Sequence, residues 1–131
     1  MVKKWIVILS IMVFLVVGCI IEYKYINNAF EYLHNNLINY QELLDIDKEN
    51  INTQDNVKYI SNLHNNWHNK YKVLKSLIWH SGIKDIEVGL SRIKTYTQEN
   101  DYTEAKAELQ ALIDYIRHYS EDFTFSLENL F

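Results

Sequence analysis

Five histidines are the residues of this chain best equipped for chemistry, and His64 and His68 stand four apart in the run His64, Asn65, Asn66, Trp67, His68. On a helix that spacing puts both imidazoles on one face, where they can chelate a single metal ion. The zinc-protease pattern needs a Glu between such histidines as general base, and none lies there. If the first interhelical turn centres near Ile51, His34 falls level with His68, which makes His34, His64 and His68 the candidate metal set. A similar count about the third turn brings His118 level with His80. Metal sites in helical bundles ordinarily add inward carboxylates, and the apolar seams of this chain offer none. The favoured reading is therefore structural, with His64 in a seam bonded to a tyrosine or asparagine, and no cofactor is expected.

Other catalytic constellations are weaker. A nucleophile must be held beside its base, and the serines are scattered over helix faces without glycine-rich turns. The chain is expected not to be an enzyme. Cys19 is the only cysteine, which excludes an internal disulfide and any cysteine cluster for metal or redox work. Lys58, Lys70, Lys72 and Lys75 give one helix a basic sector that can meet acidic neighbours on the preceding helix or anionic lipid headgroups, and pairing within the chain is favoured.

The elements that must position these residues begin with the start of the chain. Lys3 and Lys4 precede an uncharged apolar run from Trp5 to Ile21, followed by Glu22, Tyr23, Lys24 and Tyr25. As a helix the run would cover about 26 Å, close to the hydrocarbon thickness of a bilayer. Trp5 at one end and Tyr23 and Tyr25 at the other suit the two interfaces. Residues 1–21 thus read as a membrane anchor, and residues 22–131 as a domain on the far side, with the lysines favouring a cytoplasmic N-terminus. An alternative is a lipoprotein-type signal, because Val16, Val17, Gly18 and Cys19 match the pattern preceding a lipidated cysteine. The apolar continuation through Ile20 and Ile21 speaks for the helical anchor. All seventeen acidic residues but only eleven of the thirteen basic ones follow the run, giving the outer domain a formal charge of about −6 and making nucleic acid an unsuitable partner.

With no proline and three glycines, the outer domain reads as helix almost throughout. Ile26, Phe30, Leu33, Leu37, Tyr40 and Leu44 repeat at alternating steps of four and three. A polar stretch from Asp45 to Asn56 ends that helix, with Thr53 or Asp55 as the next N-cap. Ile60, His64, Trp67, Tyr71, Leu74 and Ile78 form the second seam. A bend is expected around His80, Ser81 and Gly82, where glycine tolerates the left-handed conformation that commonly ends a helix. Ile83, Ile86, Leu90 and Ile93 mark a third helix. After a turn at Asn100 and Asp101, with Asp101 and Glu104 placed like a capping box, a fourth buries Ala105, Leu109, Leu112, Ile116 and Tyr119. Short connections make consecutive helices neighbours, so the expected fold is all-α: an N-terminal transmembrane helix followed by an antiparallel up-and-down bundle of about four helices. That layout returns the turn near Gly82 and the C-terminal tail to the membrane. The tail residues Phe123, Phe125, Leu127, Leu130 and Phe131 are too apolar for a solvated end and are the candidate contact residues, docking on the bundle, a partner or the bilayer.

Trp67, Leu74, Leu77, Ile78 and His80, then Ile83, Asp85, Ile86, Glu87, Leu90 and Ile93, then Ala105, Glu108 and Leu109, and the ending Ser126, Leu127, Glu128, Asn129, Leu130, Phe131 resemble a family catalogued as domain of unknown function 4363, from spore-forming Firmicutes. The resemblance covers essentially the whole chain. It implies a small membrane-anchored helical protein without enzymatic activity, encoded beside a multi-pass membrane protein, and makes a role in envelope or spore physiology an expectation. At Trp79, Ser81 and Gly82 the chain departs from the family, which more often has Asp before the histidine and an acid after it. The expected function is that of a non-catalytic interaction module partnering an integral membrane protein or envelope component, with self-association possible. A ligand-sensing accessory domain and a metal-binding bundle are the alternatives.

Overall fold

The structure, a computed structural model, describes the backbone of residues 1–77 and 80–128, with side chains at positions 80–81 and 122–128 left aside. Ile78, Trp79 and His80 of the sequence reading, and the tail residues Phe123, Phe125, Leu127, Leu130 and Phe131, fall outside the described side chains. Four helices follow in order: α1 (Val2–Ile46), α2 (Gln54–Leu77), α3 (His80–Gln98) and α4 (Tyr102–Glu128).

Helix α1 is uninterrupted over 45 residues. No Gly or Pro breaks it between Glu22 and Ile46, so nothing uncouples the apolar first half from the amphipathic second half. The first half is long and apolar enough to cross a membrane, and none of that apolar window is buried in the protein. The second half buries Ile26, Ala29, Phe30, Leu33, Leu37, Tyr40 and Leu44. Their heptad-like spacing lines one face for knobs-into-holes packing.

Packing joins each helix to the next and α4 back to α1. The four backbones therefore form a closed square in which α1 faces α3, and α2 faces α4, across the diagonal. Side-chain partners show the antiparallel register. Tyr59 meets Asn36 and Phe30 meets Trp67. Arg92 meets Glu108 and Tyr115 meets Gly82, while on the closing side Tyr102 meets Asp45 and Tyr119 meets Phe30. Every expected seam residue of α1, α3 and α4 is buried apart from Tyr119, which is partly buried against the core. In α2 the centre is taken by Ile60, Leu63, Trp67 and Leu74, with Leu63 in place of His64 and Tyr71 only partly buried. Adjacent positions 63 and 64 compete for the same depth, and leucine enters without the desolvation cost of an imidazole.

The structure decides one local expectation and changes another. Thr53, and not Asp55, caps α2: its hydroxyl accepts the Asn56 N–H at 3.1 Å and its carbonyl accepts Val57 N–H at 3.0 Å. Gly82 lies inside α3 and has no positive φ, so it does not end a helix. Its role is close approach. A Cβ there would stand 2.8 Å from both Tyr115 Oη and Tyr119 Cε2, and the Tyr115 hydroxyl donates to the Gly82 carbonyl at 3.0 Å. The residue with the left-handed backbone is Asn100, at φ 57°.

Candidate functional site

The histidines separate onto different faces. His64 and His68 look from α2 toward α3, where both approach the carboxylate of Glu87: His68 through Nδ1 in direct contact, His64 through Nε2 at 4.0 Å. The i, i+4 spacing thus does what helical geometry promises, and α3 supplies the acid that the seams lacked. Glu87 was not read as a partner of the histidines because it sits one position beyond the core residue Ile86, on the flank facing α2. Partial burial holds the His64 imidazole below its ordinary pKa; Glu87 pulls the other way, and Lys94 and His68 add to the lowering. The three groups form a polar clasp between α2 and α3. Among the described residues, no group of three or more His, Cys, Asp or Glu is placed to hold a metal ion.

His34 is not part of that clasp. It lines a cleft of about 290 Å³ between α1 and α4, with Phe30 and Ile116 as apolar lining and Glu31, Arg117 and Glu121 among the polar groups. Since α1–α4 and α2–α3 are opposite sides of the square, His34 and His68 share a level only in sequence counting. His118 is occupied within its own helix, its Nδ1 2.7 Å from the Asp114 carbonyl oxygen. Cys19 is exposed, midway along the uninterrupted α1.

A second polar assembly lies inside the core, where sequence offers little warning. Thr97 Oγ1 donates to the Ile93 carbonyl at 2.8 Å and is 2.6 Å from Tyr40 Oη, so the tyrosine is the donor in that pair. Tyr40 spans the diagonal from α1 to α3 and stacks on Tyr59 with ring centroids 5.5 Å apart. Burial pushes the Tyr40 phenol up to about 12, against the opposing effect of the Thr97 hydrogen bond, so it stays protonated and remains a donor through the physiological range. Thr97 is the one buried polar residue among those described.

The end of the bundle farthest from the apolar run has the densest cross-bracing. Asn100 Oδ1 accepts the backbone N–H of Ile51 at 2.8 Å and of Asn52 at 3.3 Å, and its Nδ2 donates to the Glu49 carbonyl at 3.0 Å. One side chain at the α3–α4 turn thereby satisfies the loop between α1 and α2. Its left-handed backbone is the conformation asparagine tolerates better than most residues. Asp101 caps α4 by accepting the Glu104 N–H at 3.1 Å. Asp45 receives Tyr102 Oη at 2.6 Å and the Lys106 ammonium at 2.5 and 2.6 Å, and these two partners hold its carboxyl below the ordinary range.

The opposite end is organised differently. From the pairs Phe30–Tyr119 and Asp45–Tyr102, the last turns of α4 run beside the start of the bundled part of α1, and Glu128 comes level with the end of the apolar run at Ile21. From Phe30–Trp67 and Asn36–Tyr59, Leu77 reaches the same level. Both the end of α2 at Leu77 and the end of α4 are therefore brought level with the end of the apolar run of α1.

The family model described as Domain of unknown function (DUF4363) matches residues 20–130, and the chain belongs to that family. No curated protein and no solved structure matches it.

Proposed function

We propose that this member of the DUF4363 family is a non-catalytic, membrane-anchored interaction module. Its bundle stands on the bilayer surface and engages an integral membrane protein or an envelope component. The observation that supports this reading most directly is the continuity of α1. One helix carries an exposed apolar half and a buried seam with no flexible joint between them. A rigid stem of this kind fixes the height and orientation of the bundle relative to the membrane, a constraint of use to a protein that must meet a neighbour embedded in the same bilayer. The register brings α4 down to the level of that stem, and Phe123, Phe125, Leu127, Leu130 and Phe131, in and after its last turns in sequence, are the residues proposed to meet the membrane partner. The lysines at positions 3 and 4 set the bundle outside the cytoplasm.

The test places a photocrosslinking amino acid at Phe125 or Phe131 of the full-length protein in its native cells, with Glu104 at the opposite end as control. A single multi-pass membrane protein captured from the tail positions, absent from the Glu104 control and lost when the chain is truncated after Asp122, is the expected result. Recovery of only the protein itself from every position would replace the reading with a self-contained or self-associating bundle.

A further inference from the structure

Between Asp55 and Asp85 the chain has no acidic residue, yet it carries Lys58, Lys70, Lys72, Lys75 and Lys84. The sequence favours pairing of such lysines with acids of the preceding helix, and the structure does not make those pairs. Three basic residues elsewhere do find carboxylates: Lys106 takes Asp45, Arg92 takes Glu108 and Arg117 takes Asp114. Lys70 lies over the Tyr32 ring, 4.0 Å from its centroid. Lys72, Lys75 and Lys84 are exposed and form no ion pair among the described residues.

Their height is the second observation. The Phe30–Trp67 and Asn36–Tyr59 pairs put Lys75 within about two residues, and Lys72 within about five, of the level of Ile21. The His68–Glu87 contact puts Lys84 beside α2 at about residue 71, a level similar to that of Lys72. At about 1.5 Å per residue these backbones stand roughly 3 to 9 Å above the end of the apolar run. The headgroup layer is some 5 to 7 Å deep on each side, and the Debye length is about 8 Å at physiological salt. A lysine side chain from any of the three positions reaches lipid phosphate. Lys58, on the same helix and equally exposed, is roughly 28 Å up and does not.

We propose that the α2–α3 corner is a lipid-binding face, with the ammonium groups of Lys72, Lys75 and Lys84 bound to the phosphates of an anionic leaflet. The face is one-sided. Across the square, the same end of α4 presents exposed Glu121, whereas on the α2–α3 edge exposed Asp85 offsets only one of the three lysines, so an anionic surface attracts the α2–α3 edge and repels the α4 edge. The anchor is thereby tilted toward the lysines, leaving the α4 side raised from the lipid. This inference rests on the membrane-anchored reading and adds to it the class of lipid and the direction of tilt.

The experiment uses the full chain in nanodiscs of purely zwitterionic lipid and in nanodiscs containing a third phosphatidylglycerol. Lysines are acylated with an amine-reactive ester, and the rate at each site is read by mass spectrometry. The expected result is acylation of Lys72, Lys75 and Lys84 slowed at least threefold by the anionic lipid, an effect diminished in 0.5 M salt, with Lys58 changed by less than half. Equal rates in the two lipids, with the protein incorporated, overturn the lipid-binding face and leave the anchored module standing. Failure of the protein to co-elute with either nanodisc overturns the anchor and the inference together.

Discussion

The two ends of the bundle solve the same problem, joining two antiparallel helix pairs, with opposite chemistry. At the end far from the apolar run, Asn100 stitches one loop to the other through backbone groups, and Asp45 gathers Tyr102 and Lys106 around one carboxylate. The polar groups of the two turns are bonded to one another there. At the near end, Phe30, Trp67 and Tyr119 pack ring against ring, with centroids 5.3 to 5.8 Å apart. The polar groups around them are the His64–His68–Glu87 clasp on the α2–α3 flank and lysines without carboxylate partners. One end is closed on itself. The other leaves lysines open to its surroundings, which suits the proposal that this end faces a membrane.

The sharpest way to break this contrast is to cut the stitch. Asn100→Ala keeps a β-carbon in the left-handed backbone but loses the short polar side chain that makes that conformation tolerable, at about 1 kcal/mol, and removes three hydrogen bonds, one of them to the fully buried Ile51. A total loss of about 3 kcal/mol is expected in denaturant titration of the detergent-solubilised chain, since each unsatisfied buried donor costs about 1–3 kcal/mol. Asn100→Gly relieves the backbone term alone and should lose about 1 kcal/mol less. Equal losses for the two variants would mean that the left-handed conformation contributes nothing. Hydrogen exchange supplies a direct readout: the Ile51 amide should lose protection in both variants while Leu33 in α1 keeps its own.

A smaller loss is expected from Tyr40→Phe, which removes the diagonal donor while Thr97 remains bonded to Ile93. Loss of one net hydrogen bond is worth about 1 kcal/mol, and a change well above that value would show that Thr97 cannot hold its place without the tyrosine. At the near end, Gly82→Ala sets an overpacking cost of about 1–3 kcal/mol against a helix-propensity gain of about 1 kcal/mol. The net loss should be about 1 kcal/mol. Tyr115→Phe removes one of the two atoms at 2.8 Å together with its hydrogen bond to the Gly82 carbonyl, so measured against Tyr115→Phe alone the added Gly82→Ala should cost less than it does in the parent, whereas an equal cost in the two backgrounds would locate the conflict in the Tyr119 ring.

The mildest effect concerns acid. His64 titrates in the folded protein below its ordinary value of 6.5, mainly because it is partly buried. Below about pH 6.5 the unfolded chain therefore binds more protons than the folded one, and stability falls as pH drops from there through the folded pKa. Glu87 opposes this shift, and Lys94 and His68 reinforce it. His64→Gln should leave the melting temperature at pH 7.5 nearly unchanged and flatten its decline toward pH 5. An undiminished decline would assign the acid sensitivity to other groups.

Much of this was legible in one dimension. The apolar run, the heptad spacing of α1 from Ile26 to Leu44, and the scarcity of helix breakers dictate helices and their inward faces, because those depend on residues three and four apart in a chain that has little other choice. Asp101 as a cap was readable for the same reason. Which face of a flank residue meets which neighbour was not. His34 and His68 matched by counting along a hairpin, yet level and azimuth are independent, and the closing of the square put them on opposite sides. Glu87 entered the histidine clasp, Thr97 received the Tyr40 hydroxyl and Gly82 gave way to two tyrosine rings through contacts between segments distant in sequence. The sequence alone determined a helical chain with one apolar stem and four inward seams, since local periodicity carries that information. The tertiary structure decided the partners of its polar groups, because they are set by rotation of helices about their axes, which no spacing within a single helix records.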